Sequence, residues 1–320
     1  MAVIGIDLGG TKVFGALYSL NDRILYENKE LINKATGDAV FEIISRQIDL
    51  LLKESKKLGE EVKSIGFSVP GIYNKDKGTV WAPNIQGWDN YPLLTKLEQN
   101  FKNICFVIAS DRECYIMGET WKGKAQGCKN AVYIAVGTGI AAGIMTDGQV
   151  LHGSHGIAGS IGWLALNKPF EDKYIPCGCN EYYASGEGMA RYAKEVIASM
   201  PTYNGVFKTG KEINGTHLIE EYANDPVAKK VIDTVIEYWG MTVANLVSIF
   251  NPEKIIFGGG VFSGKACRFL DMIYSEALKW GQLISMKQVE LSCSENGSYT
   301  GLYGALSLAI HSACPDIRES

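Results

Sequence analysis

The chain has 320 residues, of which 46% are hydrophobic and 21% are charged, and its formal net charge is −4. These values are typical of a globular protein with about two domains, and they provide no net positive field for binding nucleic acid or an anionic membrane surface. No apolar run reaches the roughly 18 residues that span a membrane, and the N-terminus lacks the pattern of a signal peptide. We therefore expect a cytoplasmic protein whose ligand is a small molecule.

The first predicted element is a strand that ends in glycines. Asp7-Leu8-Gly9-Gly10-Thr11-Lys12 leads into VFGALY, which is too rich in β-branched, aromatic and glycine residues to begin a helix. The pattern predicts a β-hairpin with a glycine-rich tip, whose amides can converge on an anion such as phosphate. Asp7 can orient a metal-bound water there, whereas Lys12 either contacts phosphate or lies at a solvated strand end.

The next predicted elements alternate between helices and strands. Apolar residues at helical spacing predict a helix from Asp38, and VKSIGFSVPG then returns to a strand that ends in a turn. NICFVIASD predicts a buried strand that ends at Asp111, and RECYIMGETWKGKA predicts the helix that follows. By itself, Asp111 at this place is either a helix N-cap or a functional carboxylate.

A second glycine hairpin is predicted in the middle of the chain. Gly137-Thr138-Gly139 separates two apolar runs, and Asp147-Gly148 closes the second run. Because this arrangement nearly repeats the first hairpin, we interpret the two as duplicated units whose tips can hold a polyphosphate from both sides. A simple hairpin turn is the alternative for either copy.

The last third of the chain predicts a helix from Asp225 to Phe250, and KIIFGGGVFSG then predicts a third glycine-rich strand end. This order of elements fits an α/β protein with a sheet in each of two lobes. A chain of this length does not need disulfides to fold, so we expect most of its eight cysteines to be reduced core residues. Cys177 and Cys179 form the one cysteine cluster.

Seven motifs in this order resemble the ROK family of sugar kinases, in the actin-like ATPase superfamily. They are DLGGTK at 7–12, SVPG at 68–71, APN at 82–84, Asp111, VGTG at 136–139, GCNEYYASG at 178–186 and PEKIIFGGGV at 252–261. The resemblance implies a two-lobed actin-like ATPase (ribonuclease H-like) α/β fold, with a mixed sheet in each lobe and a ligand cleft between them. The N-terminal lobe is expected at 1–115, joined by a C-terminal helix at 304–320, and the C-terminal lobe at 116–303.

The activity that the resemblance implies is transfer of the γ-phosphoryl group of ATP, bound with Mg²⁺, to a sugar hydroxyl, usually on C6. Asp111 is then the base, because a carboxylate in hydrogen-bond reach accepts the proton of a weakly nucleophilic hydroxyl. The residues implied in nucleotide binding, with Asp7 also near Mg²⁺, are Asp7, Gly9, Gly10, Thr11, Lys12, Gly137, Thr138, Gly258, Gly259 and Gly260. The residues implied in sugar binding are Asn84, Ser110, Asp111, Gly139, Ser160, Trp163 and Glu181. A turn role for Asn84 and a tight turn at 258–260 are the structural alternatives.

The chain departs from the family pattern in its sugar-binding motif. The family's Ala-Gly-Glu-x-Gly-His appears here as Ala158-Gly159-Ser160-Ile161-Gly162-Trp163, and Ser110 replaces the Asn that usually precedes the base. The Glu and His of that motif hold the C1 to C3 side of the sugar, so their loss predicts weaker selection of free glucose. Trp163 either contacts the sugar or a substituent on it, or packs in the core.

The motif's His is also a zinc ligand in many family members, together with three cysteines. Here Cys177 and Cys179 are the two that remain, and a closed zinc site needs four ligands. We therefore expect no zinc, unless His152 or His155 substitutes as a ligand.

Two classes of function stay open: a carbohydrate kinase, and a catalytically weakened sugar-binding or regulatory relative. Repressors of the family carry an N-terminal winged-helix domain, and none is expected here because the first hairpin begins at residue 7. Retention of Asp7, Asp111 and the three glycine elements favours the kinase, since a pure sensor needs neither a base nor an ATP site. The expected partners are a sugar, ATP and a second copy of the chain in a homodimer, without nucleic acid or membrane.

Overall fold

A computed structural model of the chain describes residues 1–311, which divide into two compact units. Unit 1 comprises Met1–Gln126, His152–Ile157 and the described residues from Ser298 onward, and unit 2 comprises Gly127–Leu151 and Ala158–Gly297. The expected lobe boundary stays a prediction, and the part of the expected C-terminal helix at 312–320 lies outside the described residues. Within residues 1–311, no helix combines the length and the apolar character needed to cross a membrane.

Strands and helices alternate along the described chain. The strands are β1 (Ala2–Leu8), β2 (Lys12–Ser19), β3 (Arg23–Leu31), β4 (Val62–Val69), β5 (Ile72–Asn74), β6 (Thr79–Trp81), β7 (Cys105–Ser110), β8 (Ala131–Val136), β9 (Ile140–Thr146), β10 (Gln149–Val150), β11 (Lys254–Gly258) and β12 (Glu290–Cys293). The helices are α1 (Asp38–Lys57), α2 (Leu93–Asn100), α3 (Asp111–Lys122), α4 (Cys179–Ala184), α5 (Gly186–Ala198), α6 (Gly215–Glu220), α7 (Pro226–Phe250), α8 (Leu270–Trp280), α9 (Leu283–Met286) and α10 (Thr300–His311). The helix predicted from Asp38 is confirmed as α1, and the helix predicted up to Phe250 is confirmed as α7. The strands predicted before Asp111 and before the third glycine run are confirmed as β7 and β11.

The main sheet of unit 1 has the strand order β3-β2-β1-β4-β7. β1, β2 and β3 form an antiparallel meander, while β4 and β7 run parallel to β1. Alternate side chains of β1 point to opposite faces, so Ile4 and Ile6 join the core that contains α1, whereas Val3 joins the cluster that contains α10. α10 lies very close to β4, because a Cβ added at Gly66 would be 1.9 Å from Ala305 O.

The main sheet of unit 2 repeats this connectivity with the order β10-β9-β8-β11-β12. Its first three strands are again an antiparallel meander, and β11 and β12 are again parallel to β8. Asp147 and Gly148 have positive φ angles of 51° and 78°, as expected for the predicted tight turn between β9 and β10. The repeated arrangement predicted from the two glycine hairpins is therefore confirmed at the level of sheet topology.

The cysteines differ in part from the expectation. Cys267 and Cys293 form a disulfide in unit 2, where their Cα atoms lie 6.1 Å apart, within the range that a disulfide spans. Cys105, Cys128 and Cys177 are only half-buried, so the expectation of core residues is wrong for these three, whereas Cys114 and Cys179 are buried. Cys314 lies outside the described residues.

Candidate active site

The two glycine hairpins form as predicted. In unit 1, Gly9-Gly10-Thr11 joins β1 to β2, and Gly9 N–H donates to the carbonyl oxygen of Lys12 at 2.9 Å. In unit 2, Gly137-Thr138-Gly139 joins β8 to β9, and Gly137 N–H donates to the carbonyl oxygen of Gly139 at 2.9 Å. Each tip is a short turn with little side-chain bulk, which is the arrangement that lets backbone amides approach an anion.

The carboxyl ends of three neighbouring strands bring together the polar residues of unit 1. β1, β4 and β7 are parallel, and Asp7 of β1 pairs in register with Ser68 of β4. β7 ends at Ser110, and Asp111 follows as the first residue of α3. Because the carboxyl ends of parallel strands meet at one edge of the sheet, Asp7 and Asp111 lie in the same neighbourhood, where functional groups of open α/β sheets gather.

Asp111 occupies the start of α3, but Ser110 is the N-cap, so the alternative of an N-cap role for Asp111 is wrong. Asp111 Oδ1 accepts a hydrogen bond from Arg112 N–H at 2.8 Å. Burial raises the pKa of Asp111 to about 6, with the Arg112 charge opposing and the Asp7 and Glu113 carboxylates adding to the rise. A carboxyl group with this pKa is ionised at neutral pH and is a stronger base than an exposed aspartate.

Asp7 is the second carboxylate of this edge. Burial raises its pKa, whereas the Ser68 hydroxyl and the Lys12 charge act in the opposite direction. α10 approaches Asp7 so closely that a Cβ added at Gly301 would lie 2.5 Å from Asp7 Oδ1. Carboxylate oxygens are the ligands that Mg²⁺ prefers, and Mg²⁺ usually keeps several waters. Asp7 therefore fits a hydrated Mg²⁺ at this edge.

Asn84 lies in a turn and also against the first hairpin. Ile85 N–H donates to the carbonyl oxygen of Ala82 at 3.0 Å, which closes the turn. A Cβ added at Gly10 would be 2.8 Å from Asn84 Nδ2, so the side-chain amide reaches the hairpin tip. The turn role and the binding role are therefore compatible for this residue.

Unit 2 contains a cavity of about 350 Å³ at the tip of the second hairpin, within the range of roughly 300 to 1,000 Å³ that is usual for small-molecule sites. Its walls are tied to the hairpin strand, since Gly186 N–H donates to Gly137 O at 2.8 Å and Val261 N–H donates to Val136 O at 3.0 Å. The residues that line it include Gly137, Thr138, Gly186, Glu187, Asn214, Gly215, Thr216 and Gly260. A Cβ added at Gly137 or Gly260 would meet no atom within 4 Å, so open space adjoins this backbone.

Gly258 and Gly259 do not line this cavity. A Cβ added at Gly258 would lie 1.9 Å from Tyr133 Oη, and Gly259 has a φ of 83° with its Cβ position 2.6 Å from Val136 O. Both positions therefore require glycine for packing and for the turn after β11. A nucleotide contact at either one stays a prediction.

Glu181 is a half-buried carboxylate of unit 2. Its Oε2 accepts a hydrogen bond from Ile140 N–H at 2.9 Å, and burial raises its pKa while that amide and the Arg191 charge oppose the rise. A Cβ added at Gly139 would be 2.7 Å from Glu181 Oε2, and one added at Gly162 would be 3.0 Å from Glu181 Cβ. The hairpin tip and the 3₁₀ helix Ile161–Trp163 thus converge on this carboxylate.

Ser160 is the N-cap of that 3₁₀ helix, and Trp163 is its last residue. Asn180 Nδ2 donates to Ile161 O at 2.9 Å and fixes the helix against α4. Ser160 is exposed, and the Trp163 side chain is 59% exposed. Core packing of Trp163 is therefore wrong, and its indole is accessible to a ligand.

The ROK family profile matches residues 3–312. The chain belongs to the ROK family. A glucokinase from Halalkalibacterium halodurans is 33% identical over 273 residues, which cover 81% of this chain and 80% of the relative. A xylose repressor from Caldicellulosiruptor bescii is 32% identical over 266 residues, or 80% of this chain and 65% of the repressor.

A ROK family glucokinase from Streptomyces griseus, solved in complex with glucose and AMPPNP, has the same fold. It matches with a TM-score of 0.75 at 28% identity, over 97% of this chain and 99% of the glucokinase. The expected α/β fold of the actin-like ATPases, with a mixed sheet in each of two parts, is therefore confirmed.

Where many ROK proteins hold zinc, this ROK chain has a cluster of tyrosines and basic side chains. Arg191 donates from Nη1 to Cys177 Sγ at 3.5 Å, and its guanidinium lies 4.8 Å from the centroid of the Tyr182 ring. Lys173 Nζ lies 5.5 Å from the centroid of the Tyr183 ring. In the part of the chain that the structure describes, no three His, Cys, Asp or Glu side chains are grouped to hold a metal. The absence of zinc stays a prediction.

Several residues of this ROK site carried no recognisable motif. Glu187 and the 213–216 loop line the unit 2 cavity, and Asn214 is an N-cap whose Oδ1 accepts His217 N–H at 2.9 Å. The Asn-Gly-Thr-His sequence is the one signal that predicts a helix start there. Arg112 and Glu113, next to Asp111, were also missed because charges in a first helical turn are common on solvated surfaces.

Proposed function

We propose that this ROK protein is an ATP-dependent carbohydrate kinase that transfers the γ-phosphoryl group to a hydroxyl of a hexose or hexose derivative, most simply the C6 hydroxyl. The observation that carries the proposal is Asp111, a carboxylate with its pKa raised to about 6 at the sheet edge that also holds Asp7 and the first hairpin. A regulatory protein that only binds sugar has no use for a tuned base. The glucokinase relatives support the carbohydrate kinase. The sequence match to a xylose repressor fits either a kinase or a regulatory relative, so it does not decide between the two.

Asp111 performs the proton transfer in this proposal. Its carboxylate accepts the hydroxyl proton as the sugar oxygen bonds to the γ-phosphorus and the bond from that phosphorus to the bridging oxygen of ADP breaks. The products are a sugar phosphate, ADP and a proton, which leaves Asp111 for water. General-base assistance contributes about 10²- to 10⁴-fold, and positioning and charge stabilisation supply the remainder.

The nucleotide is assigned to the glycine elements. The Gly10 amide at the tip of the first hairpin is assigned to phosphate oxygens, since Gly9 N–H already donates to Lys12 O, and the unit 2 cavity beside Gly137, Thr138 and Gly260 has the size for the nucleoside part. Mg²⁺ held through water by Asp7 would neutralise charge on the phosphate oxygens. AMPPNP bound to the Streptomyces griseus glucokinase supports ATP as the phosphoryl donor here.

The nucleotide assignment is tested by Gly260→Val. The added Cβ meets no protein atom within 4 Å, so the variant should fold normally, while its side chain takes space from the cavity. We expect KM for ATP to rise by about tenfold or more with a smaller change in kcat, as when ground-state binding is lost. Gly264→Val is the matched control, since its added Cβ would approach only Val261 O, at 3.9 Å. An unchanged KM for ATP in Gly260→Val contradicts the assignment.

The proposed function itself is tested by ADP release from Mg-ATP over a panel of glucose, mannose, N-acetylglucosamine, methyl glucosides and disaccharides. Ser160 and the exposed Trp163 stand where the family has a carboxylate and an imidazole, so hydroxyls on C1 to C3 lose two polar partners. We expect kcat/KM for free glucose to be at least about tenfold below that for a sugar altered at this end. Release of ADP with no sugar in the panel refutes the kinase, and a preference for unmodified glucose refutes the selectivity.

The selectivity prediction is also tested by restoring the family's Glu and His at positions 160 and 163. In Ser160→Glu/Trp163→His, kcat/KM for glucose should rise relative to that for the preferred sugar. Because Trp163 is exposed, its replacement should leave the fold intact, and the melting temperature of the double variant, measured beside its kinetics, checks this.

A further inference from the structure

Unit 1 contains a cavity of about 260 Å³ that the proposed function leaves unused. Three segments form it: residues 73–76 at the end of β5 and in the turn after it, the start of α3, and residues 152–156. We call it the side cavity. Ser110 and Glu113 both line it, and they stand on either side of Asp111 in the sequence. The side cavity is therefore next to the residue assigned as the base.

The walls of the side cavity are held by the two residues that follow Asp111. Glu113, 9% exposed, lies with Oε1 2.6 Å from His152 Nδ1. Arg112, 8% exposed, donates from Nη2 to Gly156 O at 2.8 Å. Gly156 has a φ of 68°, and a Cβ added there would lie 3.3 Å from Tyr73 O, so the 152–156 segment lies directly against β5. A wall fixed in this way binds a ligand with little ordering cost.

The remaining lining groups of the side cavity are polar and carry both signs of charge. They are Asn74, Lys75, Asp76, Ser154 and His155. Glu113 is already paired with His152, and the charges of Lys75 and Asp76 offset each other, so neither a phosphate nor a cation is favoured. Hydroxyl groups both donate and accept hydrogen bonds, which suits this mixture of donors and acceptors.

The size of the side cavity limits what enters it. Its volume of about 260 Å³ is below the roughly 300 Å³ at which pockets begin to enclose a whole drug-sized ligand. The cavity therefore fits one ring-sized, neutral, hydroxyl-rich part of a larger ligand, and such a group is a sugar ring.

We propose that the side cavity binds a second sugar ring, so that the substrate of this kinase is a disaccharide or a related glycoside. This inference rests on the proposed function, in which Asp111 receives the proton of the reacting hydroxyl. Because C4 is the hydroxyl-bearing ring carbon nearest to C6, a second ring joined through O4 lies next to the hydroxyl that reacts at Asp111, where Ser110 and Glu113 line the side cavity, whereas a ring joined through C1 does not. Lys75 and His155 are the side chains expected to contact the second ring.

The test compares maltose and cellobiose, in which O4 of one glucose carries the second ring, with glucose in the ADP-release assay, and trehalose, whose rings are joined only through C1, is the control. The better of maltose and cellobiose should have a kcat/KM at least about tenfold above that of glucose. In Lys75→Ala and in His155→Ala, the ratio of these two kcat/KM values should fall by about tenfold. Lys77→Ala is the matched control, because Lys77 is exposed in the same turn but does not line the cavity.

Binding measured by calorimetry without ATP separates this inference from the proposed function. Disaccharide binding that Lys75→Ala and His155→Ala weaken, in a protein that releases no ADP, supports the side cavity and refutes the kinase. Phosphorylation of glucose as fast as of maltose and cellobiose, with unchanged ratios in both variants, supports the kinase and refutes the side cavity as a sugar subsite. Ser154→Phe, which adds bulk at the rim, should exclude disaccharides and gives an independent check if either alanine variant is unstable.

Discussion

Asp111→Asn is expected to lower kcat by about 10²- to 10⁴-fold while the affinity for sugar stays close to that of the parent. The amide has nearly the shape of the carboxylate but cannot take the proton of the sugar hydroxyl. The Arg112 N–H that Asp111 Oδ1 accepts at 2.8 Å finds an equivalent carbonyl oxygen in Asn, so the start of α3 should persist. Single-turnover phosphoryl transfer and calorimetric sugar binding measure the two effects separately.

Two controls accompany Asp111→Asn: the same substitution at an exposed position, and the pH dependence of the parent protein. Asp89→Asn makes the same change at an exposed residue of unit 1 and should leave kcat within about twofold. In the parent, kcat/KM should fall as the pH drops through about 6, because the base must be ionised and burial raises the pKa of Asp111 to about 6. Activity of Asp111→Asn within about tenfold of the parent, or a parent profile that is flat down to pH 5, removes Asp111 from the role of base.

The same substitution should stabilise the fold at alkaline pH. The folded pKa of Asp111, about 6, is above the ordinary value of 3.8, so the folded state binds its proton more tightly than the unfolded chain. That contribution is present below about pH 4 and is lost as the pH rises to 6, which leaves the ionised carboxylate destabilising at pH 8. Asn carries no such charge, so we expect a gain on the order of 2 kcal/mol in the free energy of unfolding at pH 8. Urea unfolding should show this gain shrink as the pH is lowered.

Much of the fold follows from local sequence pattern. The glycine tip at 9–11 is followed by β-branched and aromatic residues, which favour a second strand over a helix, and the tip at 137–139 nearly repeats that arrangement; both hairpins form. The strand that ends at Ser110 and the helix that follows it are also explained by apolar periodicity and a capping residue. Glycine tips and an aspartate at a strand end are local signals, and they identify the part of the site that depends on backbone.

The rest of the candidate site depends on residues that are distant in sequence. Glu113 and His152 are 39 positions apart, and neither has a pattern that predicts the 2.6 Å contact between them. The role of Gly258 could not be separated from that of Gly260 by sequence, because both belong to one glycine run. Packing distinguishes them, since Tyr133 fills the space at Gly258 while the space at Gly260 is open. Exposure of Trp163 likewise depends on how its loop packs, which periodicity does not report.

Asp7→Asn is the second substitution with a large expected effect, a fall in kcat of about 10²-fold or more. It keeps the side-chain volume between β1 and α10, where a Cβ at Gly301 would lie 2.5 Å from Asp7 Oδ1, but removes the charge that suits a hydrated Mg²⁺. The Mg²⁺ concentration needed for half-maximal rate should rise accordingly.

The Asp7 charge also raises the pKa of Asp111, so its removal should move the acid limb of the kcat/KM profile to lower pH. Asp49→Asn, an exposed change on α1, should alter neither quantity. General damage to the fold lowers the rate without moving the acid limb, and a profile that keeps its parent midpoint in Asp7→Asn therefore contradicts the coupling of these two carboxylates.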